Sequence, residues 1–122
     1  MIDSNKLQAL MDNYYGTEHY YKLTMPNINY TDGVKAFIEN AEAVWFLIDV
    51  GLFRKEAIKK NPNEDMFTVN LIIKDGKGDL IFKDGDLKEC YKRHYGFTDC
   101  PDGDWMFFYF KNENLLIWHG EY

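Results

Sequence analysis

Residues 41–53, AEAVWFLIDVGLF, constrain the fold of this chain more than any other run, because nothing else in it is so apolar for so long. Between positions 43 and 53 only Asp49 carries a charge. Spanning a membrane takes roughly 20 apolar residues, so this shorter run reads as a buried helix and no membrane association is expected. On a helical wheel Ala41, Val44, Trp45, Ile48 and Leu52 share one stripe, while Phe46, Leu47, Val50 and Phe53 cover most of the remaining circumference. Glu42, Asp49 and Glu56 fall seven apart and are expected to form its narrow solvent-facing edge. Asp49, set among Phe46, Ile48 and Val50, leaves two readings open: a rim carboxylate paired with a backbone amide or a lysine, or a half-buried general acid or base.

The rest of the chain arranges itself before and after this helix. Asp3 or Ser4 caps a first helix running through Tyr14, with Leu7, Leu10 and Met11 on one face, and Gly16 ends it. Residues 17–25 read as an edge strand broken by Pro26. Thr31 is a second N-cap, Asp32 suits the positive end of the helix dipole, and Val34, Phe37, Ile38 and Ala41 form the stripe that leads through Asn40 into the central helix. That helix runs out in Arg54, Lys55, Lys59 and Lys60 before Asn61, Pro62 and Asn63. After Pro62 the period changes to two: Phe67, Val69, Leu71 and Ile73 alternate with polar residues, 75–79 turns, and 80–83 returns as a hairpin partner. A turn at 84–86, a strand within 87–98, an apolar strand at 105–110 and a last strand at 115–119 follow. Residues 105–110 are apolar on both faces, so helices should cover one side and something else the other. The expectation is one α+β domain over 1–122, amino-terminal helices packed on one face of a mostly antiparallel sheet of about four or five strands.

A chain of 122 residues with 46% hydrophobic side chains has the material for a core of its own, so neither a metal nor a disulfide is required for stability, and no cofactor is expected. Cys90 and Cys100 are ten apart, neither CxxC nor a zinc spacing, and residues 1–8 lack a signal-peptide pattern, which points to a reducing cytoplasm. The net charge is −6. Residues 1–61 carry eight acids against seven bases and residues 62–122 twelve against seven, so the second half holds −5 of it. An acidic half disfavours direct nucleic-acid binding and suits a basic protein surface. Exposed aromatics leave room for a homodimer.

Catalytic constellations are sparse. Cys90 and His94, four apart, allow a thiolate–imidazole pair, and His19, His94 and His119 share no ligand-like spacing. Residues 75–80 fail as a calcium loop, because Leu80 stands where the sharp turn needs glycine and Asp86 replaces the bidentate glutamate. There is no phosphate-cradling glycine loop, GxSxG elbow or HExxH. Tyr91, Lys92, Arg93, His94 and Tyr95 read either as an RNA-stacking platform or as the solvated basic face of a strand. The chain is therefore expected not to be an enzyme; the alternatives are a small enzyme using Asp49 or Cys90 with His94, or a generic interaction domain.

Five short motifs, YGTEHY at 15–20, YTDGVK at 30–35, AEAVWFLID at 41–49, TDCP at 98–101 and the terminal EY, resemble in order the marks of a small domain of unknown function found in bacteria, phages and mobile elements. Cys100 stands where that pattern has phenylalanine, and Trp118, His119 and Gly120 stand where it has leucine, proline and serine. The sequence is also similar to inhibitors of CRISPR effectors, including those of the RNA-targeting type VI class. This resemblance implies a phage or mobile-element anti-defence protein in a bacterial host cell, a non-enzymatic inhibitor that blocks or misdirects the guide or target RNA of an effector nuclease. The partner-binding residues it implies are the carboxylates Asp84, Asp86, Asp99, Asp102 and Asp104, with Trp105 and Trp118 as anchors.

Overall fold

The computed structural model describes residues 2–122. Asp3 caps α1 (Ser4–Met11), its carboxylate accepting from the Lys6 N–H at 2.8 Å; the helix stops at Met11 rather than at Tyr14. A hairpin of β1 (Tyr20–Thr24) and β2 (Asn27–Thr31) follows. Thr31 then caps α2 (Asp32–Asn40), and after a break at 41–43 comes α3 (Val44–Lys60). The remainder is β3 (Met66–Lys74), β4 (Lys77–Lys83), β5 (Glu89–Tyr95), β6 (Gly103–Phe110), β7 (Leu115–Trp118) and a 3-10 turn, His119–Glu121. Asp75 and Gly76, both at positive φ (52° and 78°), make the two-residue turn between β3 and β4.

All seven strands form one sheet in the order β1-β2-β7-β6-β3-β4-β5. The sheet has more strands than the expected four or five, and the difference has a physical source. In β2 only Ile28 and Thr31 are fully buried, and the strand exists because Asn29 and Tyr30 pair in parallel with Leu115 and Leu116 of β7, a ladder closed across more than 80 residues of chain. The sheet is consequently mixed, with every other strand pair antiparallel.

The three helices cover one face. There Phe107 of β6 meets Phe37 of α2 at 5.1 Å and Phe46 of α3 at 4.8 Å between ring centroids, and Phe67, Val69, Leu71, Leu80 and Phe82 are fully buried. The helix α3 does not bury its expected stripe. Phe46, Leu47, Val50, Gly51 and Ala57 face inward, while Val44 and Leu52 are about half exposed. Gly51 helps set this rotation: a Cβ there would fall 2.5 Å from Pro26 Cγ, so the helix rests directly on the β1–β2 turn. Glu42 lies outside the helix at φ 52°, and Asp49 is turned toward β5, so the expected acidic edge is not formed.

Candidate binding grooves at one end of the sheet

Register fixes what gathers at each end of the sheet. At the end where β3 turns into β4, strands β2 and β5 finish and β1 and β6 begin. Two grooves open there, one on each side of the α2–α3 corner, with Asn40 lining the first and Glu42 the second.

The first groove, about 590 Å³, is built on Asp32. Placed in the first turn of α2, its carboxylate accepts from the backbone N–H groups of Glu18 (2.9 Å) and His19 (3.2 Å) and from the Tyr21 hydroxyl (2.9 Å). Thr17 Oγ accepts from the Asp32 N–H and donates to the His19 carbonyl, which closes the segment onto the helix. Donation from the Glu18 N–H, with burial opposing and the Tyr21 hydroxyl assisting, holds the Asp32 carboxyl at about 2. Behind it Glu121 accepts from Thr31 Oγ (2.6 Å), the Gly33 N–H (2.9 Å) and the Trp118 N–H (2.9 Å), anchoring the chain's end at the α2 N-terminus. Tyr14, Tyr15 and Tyr21 wall the groove, and Glu18, Asp32 and Glu39 against Lys35 give its acids and lysine a formal charge of −2.

The second groove, about 500 Å³, is built on Asp49. Its Oδ2 accepts a hydrogen bond from the Tyr95 hydroxyl and lies 3.2 Å from Arg93 Nε. The Arg93 guanidinium in turn stacks over Phe53 (5.1 Å) and Tyr95 (5.3 Å). Trp45 meets Tyr95 edge-on at 4.9 Å, and Phe97, 78% exposed, completes the aromatic wall. Burial first, then the Asp49 carboxylate, push the Tyr95 hydroxyl far above its ordinary range. Tyr95 therefore keeps its proton and serves as a donor, and the charge of Asp49 is matched by Arg93. Glu42, Asp49 and Asp99 against Arg93 again give a formal charge of −2.

The residues named from sequence separate in space. Asp99 lines the second groove. Asp102 accepts from the Asp75 N–H at 3.0 Å, and Asp104 from Asn70 Nδ2 at 2.8 Å, both at the same end of the sheet. Asp84 and Asp86 lie at the opposite end, the length of β4 away, roughly 23 Å at the usual rise per residue. Asp84 is a structural group: buried, it accepts from the Asp86 and Lys88 N–H groups and from Asn61 Nδ2, and the Lys88 N–H leads in holding its carboxyl below the usual range. The five carboxylates thus form no single face.

Trp105 and Trp118, expected as anchors, are core residues at 1% and 3% exposure. Alternation along β6 and β7 turns both toward the helices, where Trp105 packs on Phe37 and donates to the Pro101 carbonyl at 3.0 Å, and Trp118 packs on Phe107. The aromatics that reach the grooves are Trp45, Tyr95, Phe97 and the tyrosines near Gly16. The tyrosine-rich run at 14–21 and the Phe97-Thr98-Asp99 segment were the available signals.

Cys90 and His94 are not a pair. Cys90 Sγ donates to the Lys88 carbonyl, and burial raises its thiol, whereas His94 Nδ1 lies 2.9 Å from Asp79 Oδ1. His19 stands beside Asp32 and His119 against Trp118, so the three histidines do not converge. Burial also pushes the Cys100 thiol up to about 12. In β5, Tyr91 stacks on Phe53 and Tyr95 on Trp45, so neither ring offers a free stacking platform for bases. No helix among the described residues is long and apolar enough to cross a membrane.

The model of a family of unknown function (DUF6876) matches residues 5–122. Comparison with curated proteins and with solved structures gives no match.

Proposed function

The chain belongs to DUF6876, a family of unknown function, and we propose that it is a non-enzymatic binding protein of the anti-defence kind that docks a basic surface of a CRISPR effector nuclease at its acidic, aromatic end. One observation carries the basic-partner reading: two aromatic-walled grooves, each with a formal charge of −2, open at the same end of the sheet. Carboxylates in such a setting steer a basic partner toward the end, and rigid aromatic side chains supply contact area and cation–π attraction to its lysines and arginines at small cost in ordering. The effector as partner, and the phage or mobile-element setting inside a bacterial cell, follow from the resemblance of the sequence to CRISPR inhibitors.

Covering basic residues that otherwise hold guide or target RNA inhibits without any chemistry by the inhibitor. That fits a Cys90 thiol that burial keeps protonated and an Asp49 already held by Arg93 and Tyr95. Capture of the tagged protein from a host lysate, with and without nuclease, tests the reading. It requires an effector that stays bound after nuclease treatment and whose RNA cleavage falls when the protein is added. Capture that disappears with the RNA, or a bound effector that cleaves at its full rate, overturns it.

A further inference from the structure

The helices cover one face of the sheet, and among the described residues no layer covers the opposite face. Along β6 it presents Met106, Phe108 and Phe110, each partly buried, with Tyr122 resting against the two phenylalanines at 5.2 and 5.6 Å. Ile81 and Ile117 are buried apolar side chains outside the helix-side core. The partly exposed apolar side chains in a row along β6 suit an interaction surface.

We infer that this face pairs with the same face of a second copy of the chain, about a two-fold axis lying along the row Ile81–Asn70–Met106. That row is set by register, since Asn70 stands opposite Ile81 on one side and Met106 on the other. Three observations select a second copy as the occupant. Lys83 and Asp79 lie two residues to either side of Ile81 on the same face, so a two-fold through Ile81 lays each Lys83 on the partner's Asp79, twice over. Asn70, 5% exposed, sits on the axis with Nδ2 donating to Asp104 and with Oδ1 buried and lacking any hydrogen-bond partner. On a two-fold the spare amide hydrogen of one Asn70 and the orphan oxygen of the other are reciprocal; a central asparagine of this kind fixes register between two copies. The face spans about 600 Å² in projection, near the roughly 800 Å² per partner of a standard interface.

Sedimentation equilibrium of the full chain tests this. The inference requires a mass of twice 14.5 kDa at about 100 µM. M106K, on the open face, should dissociate the pair while leaving the helical circular dichroism and capture by the acidic end unchanged, which separates this inference from the proposed function. K83E sets two acids against each other and should raise the dissociation constant at least about tenfold, and D79K/K83E, which restores both pairs in reverse, should bring it back to within about threefold. A monomer at that concentration, including one whose open face captures a different protein, overturns the inference. So does a dimer indifferent to M106K, or a K83E dimer that D79K fails to rescue.

Discussion

Asp49 of α3 accepts a hydrogen bond from the hydroxyl of Tyr95, 46 residues further on, and this contact fastens the longest helix to the edge strand β5. Arg93 completes the arrangement from the same strand.

The Tyr95 contact predicts an alkaline limb of stability. Folding raises the Tyr95 hydroxyl well above its ordinary 10.0, through burial and then Asp49. The folded state therefore keeps a proton that the unfolded chain releases above about pH 10, so the stabilisation is complete below that pH and fades as the pH climbs beyond it. Y95F should cost about 1–2 kcal/mol near neutrality and make thermal unfolding less sensitive to pH between about 9 and 11. Equal pH dependence in the two proteins contradicts this role.

At the other groove the linkage runs the opposite way. The Asp32 carboxyl, held at about 2 against an ordinary 3.8 chiefly by the Glu18 N–H, contributes stability that is complete above its unfolded value and lost as the pH falls from there toward 2. D32N should lower the unfolding temperature at pH 6 and flatten its decline between pH 5 and pH 2, compared with the parent protein, to roughly what the remaining carboxylates account for.

What could be read from the sequence was what neighbouring residues decide. Asp3 and Thr31 cap the helices they precede, and the alternation of Phe67, Val69, Leu71 and Ile73 is a strand with one face in the core. The strand β2 was hidden because its alternation covers only five residues and its second partner, β7, lies far along the chain. The rotation of α3 was hidden for a different reason. A helix apolar around most of its circumference has no preferred face until Gly51 meets Pro26 and Asp49 meets Arg93. Of the site, Asp49 and Asp99 stood out as residues, but a groove whose walls come from positions 42–49 and 93–99 exists only once α3 lies along β5. The fate of Trp105 and Trp118 was undecided for the same cause, since strands apolar on both faces do not announce which side the helices will take.

Burial of those two indoles gives a spectroscopic prediction. Acrylamide should quench Trp45 and leave Trp105 and Trp118 nearly untouched, because Trp45 lines an open groove whereas the other two indoles are buried. W45F should therefore abolish most of the quenchable fluorescence with a small effect on stability, whereas W105A should destabilise the fold by about 3–5 kcal/mol in urea. Quenching that persists in W45F would place one of the other indoles at the surface.

Under the proposed function the end bearing the two grooves, and not the acidic second half as a whole, meets a basic partner. The affinity of the captured effector for E42Q/D99N, in the second groove, and for D86N/E89Q, at the far end, each measured at low and high salt, tests this. E42Q/D99N should bind at least about tenfold more weakly at low salt, with a shallower dependence on salt, and D86N/E89Q should match the parent chain. Equal losses in both variants, or a loss in D86N/E89Q alone, would contradict it.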